Sequence, residues 1–216
     1  MGSELSIADW FVSYGNTGFE VIGTLAFALS GLIEAARKKL DIVGMAMVTF
    51  LAAFGGGTLR DILLDRRPFF WVENQFWIWV VLAMCALALV FMRAKHIEPT
   101  ERATAWPDAI GLGIFTAGGT QIALQSGMPA LIAIIMGIIT AVFGGVLRDV
   151  VVNEIPRAFV DHQPYTVVAF AGGWVVVGMN LVGASAFVSV AVGAAVITAL
   201  RFMAMIFSWR LPTWRV

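Results

Sequence analysis

The chain has 216 residues, of which 60% are hydrophobic and only 13% charged, and its mean hydropathy is +0.88. A water-soluble domain carries about 25% charged residues to face water, so this composition excludes one and makes lipid the solvent. The 14 basic residues balance 14 acidic ones, which leaves no basic surplus for nucleic acid.

The segment before the first apolar run, Met1 to Asn16, carries Glu4 and Asp9 and no basic residue. It lacks the basic start of a cleaved signal peptide, so the first run is expected to be retained. A bilayer core of about 30 Å takes about 20 residues of apolar helix. Such runs fall at 17–36, 42–64, 74–94, 107–125, 129–152, 165–183 and 185–207. They predict an all-α integral membrane protein with seven transmembrane helices, one domain over 1–216. No period-2 alternation supports a β-barrel. Arg37, Lys38 and Lys39 follow the first run, Arg93, Lys95 and Arg102 the third, Arg157 the fifth, and Arg210 and Arg215 the last. The excess of Lys and Arg on that side predicts a cytoplasmic C-terminus and an external N-terminus. Trp71, Trp77, Trp79, Trp106, Trp209 and Trp214 sit near the ends of runs, as an interfacial belt does.

The sequence also repeats. Gly23–Pro68 aligns without a gap on Gly111–Pro156, an offset of 88 residues. The match is best where Gly56-Gly57-Thr58-Leu59-Arg60-Asp61 meets Gly144-Gly145-Val146-Leu147-Arg148-Asp149. Gly23, Phe27, Gly31 and Ala35 pair with Gly111, Phe115, Gly119 and Ala123, four residues apart on one helical stripe. Three spans separate the starts of the copies, and an odd number reverses the direction of crossing. The expected plan is two inverted three-helix repeats, about 17–94 and about 107–183, plus a seventh helix at about 185–207. Proteins so built place their site between the repeats near the bilayer midplane.

Candidate site residues follow. Gly55, Gly56, Gly57 and Thr58 lie at mid-depth in span two, and Gly144, Gly145 and Val146 at the matching depth in span five. Adjacent glycines weaken a helix by about 1 kcal/mol each. They serve either to kink or break the helix and bare its carbonyls, or to let backbones pack closely. Arg60, Asp61, Arg148 and Asp149 follow within a turn. A lone intramembrane arginine costs about 3 kcal/mol, so these charges must be paired, and each arginine is expected to reach the other copy's aspartate. They then act as a clasp between repeats or as a charged lining. Ser30, Gly31, Gly118 and Gly119 are mid-depth small residues of spans one and four, candidates for packing on those helices or lining a path. Glu34 is expected at the interface, paired with Lys38. The lone Cys85 sits in an apolar run, and His96 and His162 lie far apart in polar connections, so no metal set is expected. No nucleophile–base set is apparent, and Gly55–Arg60 lacks the Lys-Ser/Thr ending of a phosphate loop, so an enzyme is not expected.

The motifs Phe54–Asp61 and Phe143–Asp149, in the second and fifth of seven spans, resemble those of the prokaryotic trimeric intracellular cation (TRIC) channel family and of related bacterial membrane proteins. The resemblance runs from about Gly15 to Phe207. It implies a homotrimer in membrane lipid, a pore within each protomer, and kinks at Gly55, Gly56, Gly57, Gly144 and Gly145. It also implies permeability to monovalent cations, chiefly potassium with sodium as the other candidate ion, and no cofactor. Val146 follows only two glycines, which implies a weaker second kink. Some bacterial relatives are thought to move glycine, and Arg60 and Arg148 suit a carboxylate ligand, so a small-amino-acid carrier is the alternative.

Overall fold

The computed structural model describes residues 7–95, 100–160 and 163–212, and among these it is entirely helical, without strands. In chain order the helices are α1 (Ile7–Arg37), α2 (Ile42–Leu63), α3 (Phe70–Glu73), α4 (Phe76–Lys95), α5 (Glu101–Gln125), α6 (Ala130–Val151), α7 (Arg157–Val160), α8 (Thr166–Leu181) and α9 (Ala186–Ile206). Each of the seven apolar runs becomes a long helix, and the two short helices α3 and α7 lie after α2 and α6. His96, His162 and Trp214 lie outside the described residues.

Among the described residues, four segments are long and apolar enough to cross a bilayer: Gly18–Arg37, Ile42–Leu63, Ala130–Val151 and Ala186–Ile206. Phe76–Phe91 and Thr166–Leu181 are apolar but shorter. Helix α5 is the least lipid-like of the long ones, and its position explains why. It is enclosed by α1, α6, α8 and α9, and it buries Thr104, Asp108, Thr116, Thr120 and Gln121. Over residues 111–123 every position but Gly118 is buried, and a stretch so enclosed needs no apolar exterior. It also begins earlier than the run 107–125 implied. Thr100 caps it by accepting a hydrogen bond from the Ala103 amide at 3.3 Å, so Pro107 lies inside the helix rather than at its start. A proline tolerated within a membrane helix does look from sequence like one at the first helical position.

The contacts at the centre obey the 88-residue register in both directions. A Cβ on Gly23 would sit 2.5 Å from the Phe115 ring, and one on Gly111 would sit 2.8 Å from the Phe27 ring. The two rings touch each other, with centroids 5.3 Å apart. Within each copy, Gly31 backs onto Ala52 and Thr49, while Gly119 backs onto Thr140 and Gly137. Helix α1 therefore runs antiparallel to α5, and α2 antiparallel to α6. For orientation, the face where α2 ends and α6 begins is called the first face, and the face where α1 and α6 end the second.

The helix ends repeat as well. Helix α1 closes with Lys39 at φ 55° and the Leu40 amide donating to the Ala35 carbonyl; α5 closes with Gly127 at φ 80° and the Met128 amide donating to the Ala123 carbonyl. This is the left-handed closure that favours glycine. Lys39 is exposed and holds a conformation costing a non-glycine residue about 1–2 kcal/mol. Lys39→Gly is therefore expected to raise the thermal unfolding temperature in detergent, by a gain on the order of 1 kcal/mol.

Candidate functional site

The glycine runs sit within uninterrupted helices, so neither α2 nor α6 is broken there. They are where those helices meet. A Cβ on Gly56 would lie 1.9 Å from the Thr140 carbonyl oxygen, and one on Gly144 2.4 Å from that of Ala52. Gly55 backs onto the Leu147 side chain, whereas a Cβ on Gly57 or Gly145 would meet only ordinary contacts, with Arg60 and with Arg148 and Asp108. Each run thus presents packing glycines to the other helix and one glycine to a cavity. Thr58 donates to the Phe54 carbonyl at 2.8 Å and accepts from the Trp71 indole at 3.0 Å, which lays α3 against the first-face cavity. Val146, its counterpart, lines the small second-face cavity.

The arginines pair within their own copies, not across them as expected. Arg60 donates to Asp61 at 2.9 Å and to Glu20 at 2.7 Å. Arg148 donates to Asp149 at 2.8 Å and to Asp108 at 2.9 Å. The reason is the crossing itself. Each arginine stands four residues beyond the glycine at the contact, in opposite directions, so at 1.5 Å per residue the two lie roughly 12 Å apart along the axis. All four paired residues Arg60, Asp61, Arg148 and Asp149 are buried.

Glu20 and Asp108 are the residues that sequence reasoning passed over. They stand 88 apart, three positions before Gly23 and Gly111, so extending the register by one helical turn reveals an acidic residue at the same place in both copies. Asp108 also accepts from the buried Tyr165 hydroxyl at 2.7 Å. Ser30 is wholly buried, accepts from Arg148 at 2.6 Å and donates to the Thr104 carbonyl at 3.3 Å. Gly31 and Gly119 are packing positions, and Gly118 faces open space beside Glu20 and Phe115.

Glu34 is buried, at 1% exposure, and pairs with Arg37 and Arg157 instead of the expected Lys38. Lys38 pairs with Glu154, and its ammonium holds that carboxyl below the ordinary glutamate range. Both partners are solvent-facing, so the pair adds little. Glu154→Gln is expected to leave the thermal unfolding temperature almost unchanged.

The two ends of the molecule differ in openness. On the first face a polar cavity of ≈ 430 Å³ reaches down to Glu20, Arg60 and Asp61, with Arg66 and Glu73 nearer its mouth. Among its described lining residues three carboxylates outnumber two guanidiniums, leaving one net negative charge. A narrower space of ≈ 10 Å³ continues past Gly57, Thr58 and Trp71, about the room for one water. On the second face the equivalent residues Asp108, Gly145, Arg148 and Asp149 surround only ≈ 10 Å³. Among the described residues, the same constellation therefore borders a large cavity at one end and a small one at the other.

A family model described as "glycine transporter" matches the chain twice, over residues 17–93 and 105–181. The chain belongs to the glycine transporter family. The two family units are offset by the 88 residues of the internal register. Curated relatives include a UPF0126 membrane protein of Vibrio cholerae, 38% identical over 71% of this chain and 64% of that one. The UPF0126 inner membrane protein YadS of Escherichia coli K12 is 34% identical over 71% of this chain and 73% of its own. Among solved structures, the TRIC trimeric intracellular cation channel orthologue from Rhodobacter sphaeroides superposes with a TM-score of 0.81. It is 32% identical, and the match covers 90% of this chain and 98% of that one. A TRIC cation channel solved to explain conductance gives a TM-score of 0.81 at 30% identity, over 92% and 96% of the two chains. This member of the glycine transporter family is thus an all-helical, multi-pass membrane protein with the architecture of prokaryotic TRIC channels, among relatives that are bacterial inner-membrane proteins.

Proposed function

We propose that the protein is a monovalent-cation channel of the bacterial inner membrane, permeable chiefly to potassium, with one path inside each protomer of a homotrimer. The observation that carries this reading is the first-face cavity, which ends on the Glu20–Arg60–Asp61 cluster with one net negative charge. A cavity of that sign concentrates cations and repels anions. Its counterpart around Arg148 lies on the other side of the Gly56–Gly144 crossing, so a continuous path needs the helices to part or bend at the glycine runs. The kinship with TRIC cation channels supports the same solute. In this reading the seven long helices each cross the bilayer, as two inverted repeats of one unit plus α9, with the N-terminus outside and the C-terminus in the cytoplasm.

A second reading has its own support. Two copies of a glycine transporter unit, packed antiparallel with the large cavity on the first face, suit a carrier that alternates access. The ammonium of glycine would meet Glu20 and Asp61, and its carboxylate Arg66. Proteoliposomes separate the two. A channel admits rubidium without saturation up to molar concentrations and is indifferent to glycine, and Glu20→Gln lowers its cation flux several-fold. Saturable glycine uptake without rubidium entry would replace the channel by the carrier.

A further inference from the structure

The central contacts follow the 88-residue register, yet among the described residues one mouth holds a large cavity and the other a small one, and the side chains at the two mouths show what differs. At the second face the C-terminal end of α1, in the first copy, is tied to the second copy. The Glu34 carboxylate accepts from Arg157 of α7 at 2.7 Å and from Arg37 of its own helix at 2.6 Å, with the Thr104 hydroxyl of α5 at 3.4 Å. Lys38 meets Glu154 in the corner between α6 and α7. At the first face the register places Ile122 where Glu34 stands and Phe69 where Arg157 stands. Neither can form an ion pair, and Ile122 lines the open ≈ 430 Å³ cavity.

We propose that Glu34 and Arg157 form a latch between the two repeats that holds the second mouth shut, and that the Ile122 and Phe69 replacements leave the first mouth without one. The latch is specific in geometry. Glu34 is almost wholly buried, so its charge is tolerable only while guanidiniums stay against it. Moving α7 away to open the mouth strips one of them. The closed state is thereby stabilised relative to the open one, and the protein rests accessible from the first face. The device acts on whatever solute passes, so it stands or falls independently of the choice between channel and carrier.

The test reads water access to the second mouth. Val146→Cys places a reporter thiol in the closed cavity and Glu73→Cys one at the open mouth, both in a Cys85→Ala background that removes the native thiol. Full-length protein in lipid nanodiscs is labelled with a hydrophilic methanethiosulfonate, which reacts only with a hydrated thiolate. Glu34→Gln and Arg157→Gln are each expected to speed labelling at Val146→Cys about tenfold and to leave Glu73→Cys unchanged. The double variant should be no faster than the quicker single one, because both remove one interaction. Arg157→Gln leaves Glu34 paired with Arg37, so it keeps the test available if Glu34→Gln does not fold. Unchanged labelling at Val146→Cys in folded Arg157→Gln protein would overturn the latch. So would equal acceleration at both reporters, which signals general loosening, or full additivity in the double variant.

Discussion

Gly56→Ala is expected to destabilise the protein by about 3 kcal/mol, at the upper end of what overpacking costs. The added methyl carbon would sit 1.9 Å from the Thr140 carbonyl oxygen. That oxygen is backbone and cannot swing aside, so α2 and α6 must separate by more than about 1 Å along their central contact. The helix-propensity gain of roughly 1 kcal/mol offsets only part of the loss. Gly57→Ala, one residue on, should do the reverse. Its nearest neighbour is the Arg60 terminal nitrogen at 3.9 Å, an ordinary contact, so the propensity gain stands and the unfolding temperature in detergent rises. The adjacent pair therefore separates packing from bending. If the glycine run must bend during opening, Gly57→Ala lowers flux while raising stability.

The second large effect concerns Arg148. Its side chain is 2% exposed and faces Asp108 and Asp149. Arg148→Gln leaves two buried carboxylates without their cation and is expected to cost about 3–5 kcal/mol. Adding Asp108→Asn should recover a large part, because it removes one of the orphaned charges. Arg60→Gln should cost markedly less, although the two sites have the same pairing pattern. Glu20 and Asp61 border the open first-face cavity, where water can take over the solvation that Arg60 provides, while the ≈ 10 Å³ around Arg148 cannot admit enough. Unfolding of the three variants in one detergent, compared with the parent, checks the order. Equal losses at the two arginines would mean that the difference in openness has no energetic weight.

The architecture was legible because apolar runs of bilayer length and a gapless 88-residue register are properties of sequence alone. What escaped it depends on how helices meet. Opposite charges in inverted motifs look complementary, so the motifs alone pair each arginine with the other copy's aspartate. The crossing at Gly56 and Gly144 sends the two arginines to opposite faces, and no spacing rule encodes that. Helical spacing pairs Glu34 with Lys38 of its own helix, but Arg157, 123 residues away, reaches it and lets it be buried. The short helices α3 and α7, four residues each, are below the length at which periodicity speaks. Glu20 and Asp108 are different, since the register already contained them and only needed extending by one turn. The glycine runs carried two readings at once. The structure supplies a close approach for Gly56 and Gly144, while Gly57 and Gly145 face the cavities.

Cation conduction is tested most directly by reconstituting the purified protein in a planar bilayer between unequal potassium chloride solutions. Unitary currents that reverse near the potassium potential, and that shrink in Glu20→Gln, are the predicted result. Electrically silent membranes from a preparation that accumulates labelled glycine saturably would contradict it, and the Glu20–Arg60–Asp61 cluster would then be a zwitterion site.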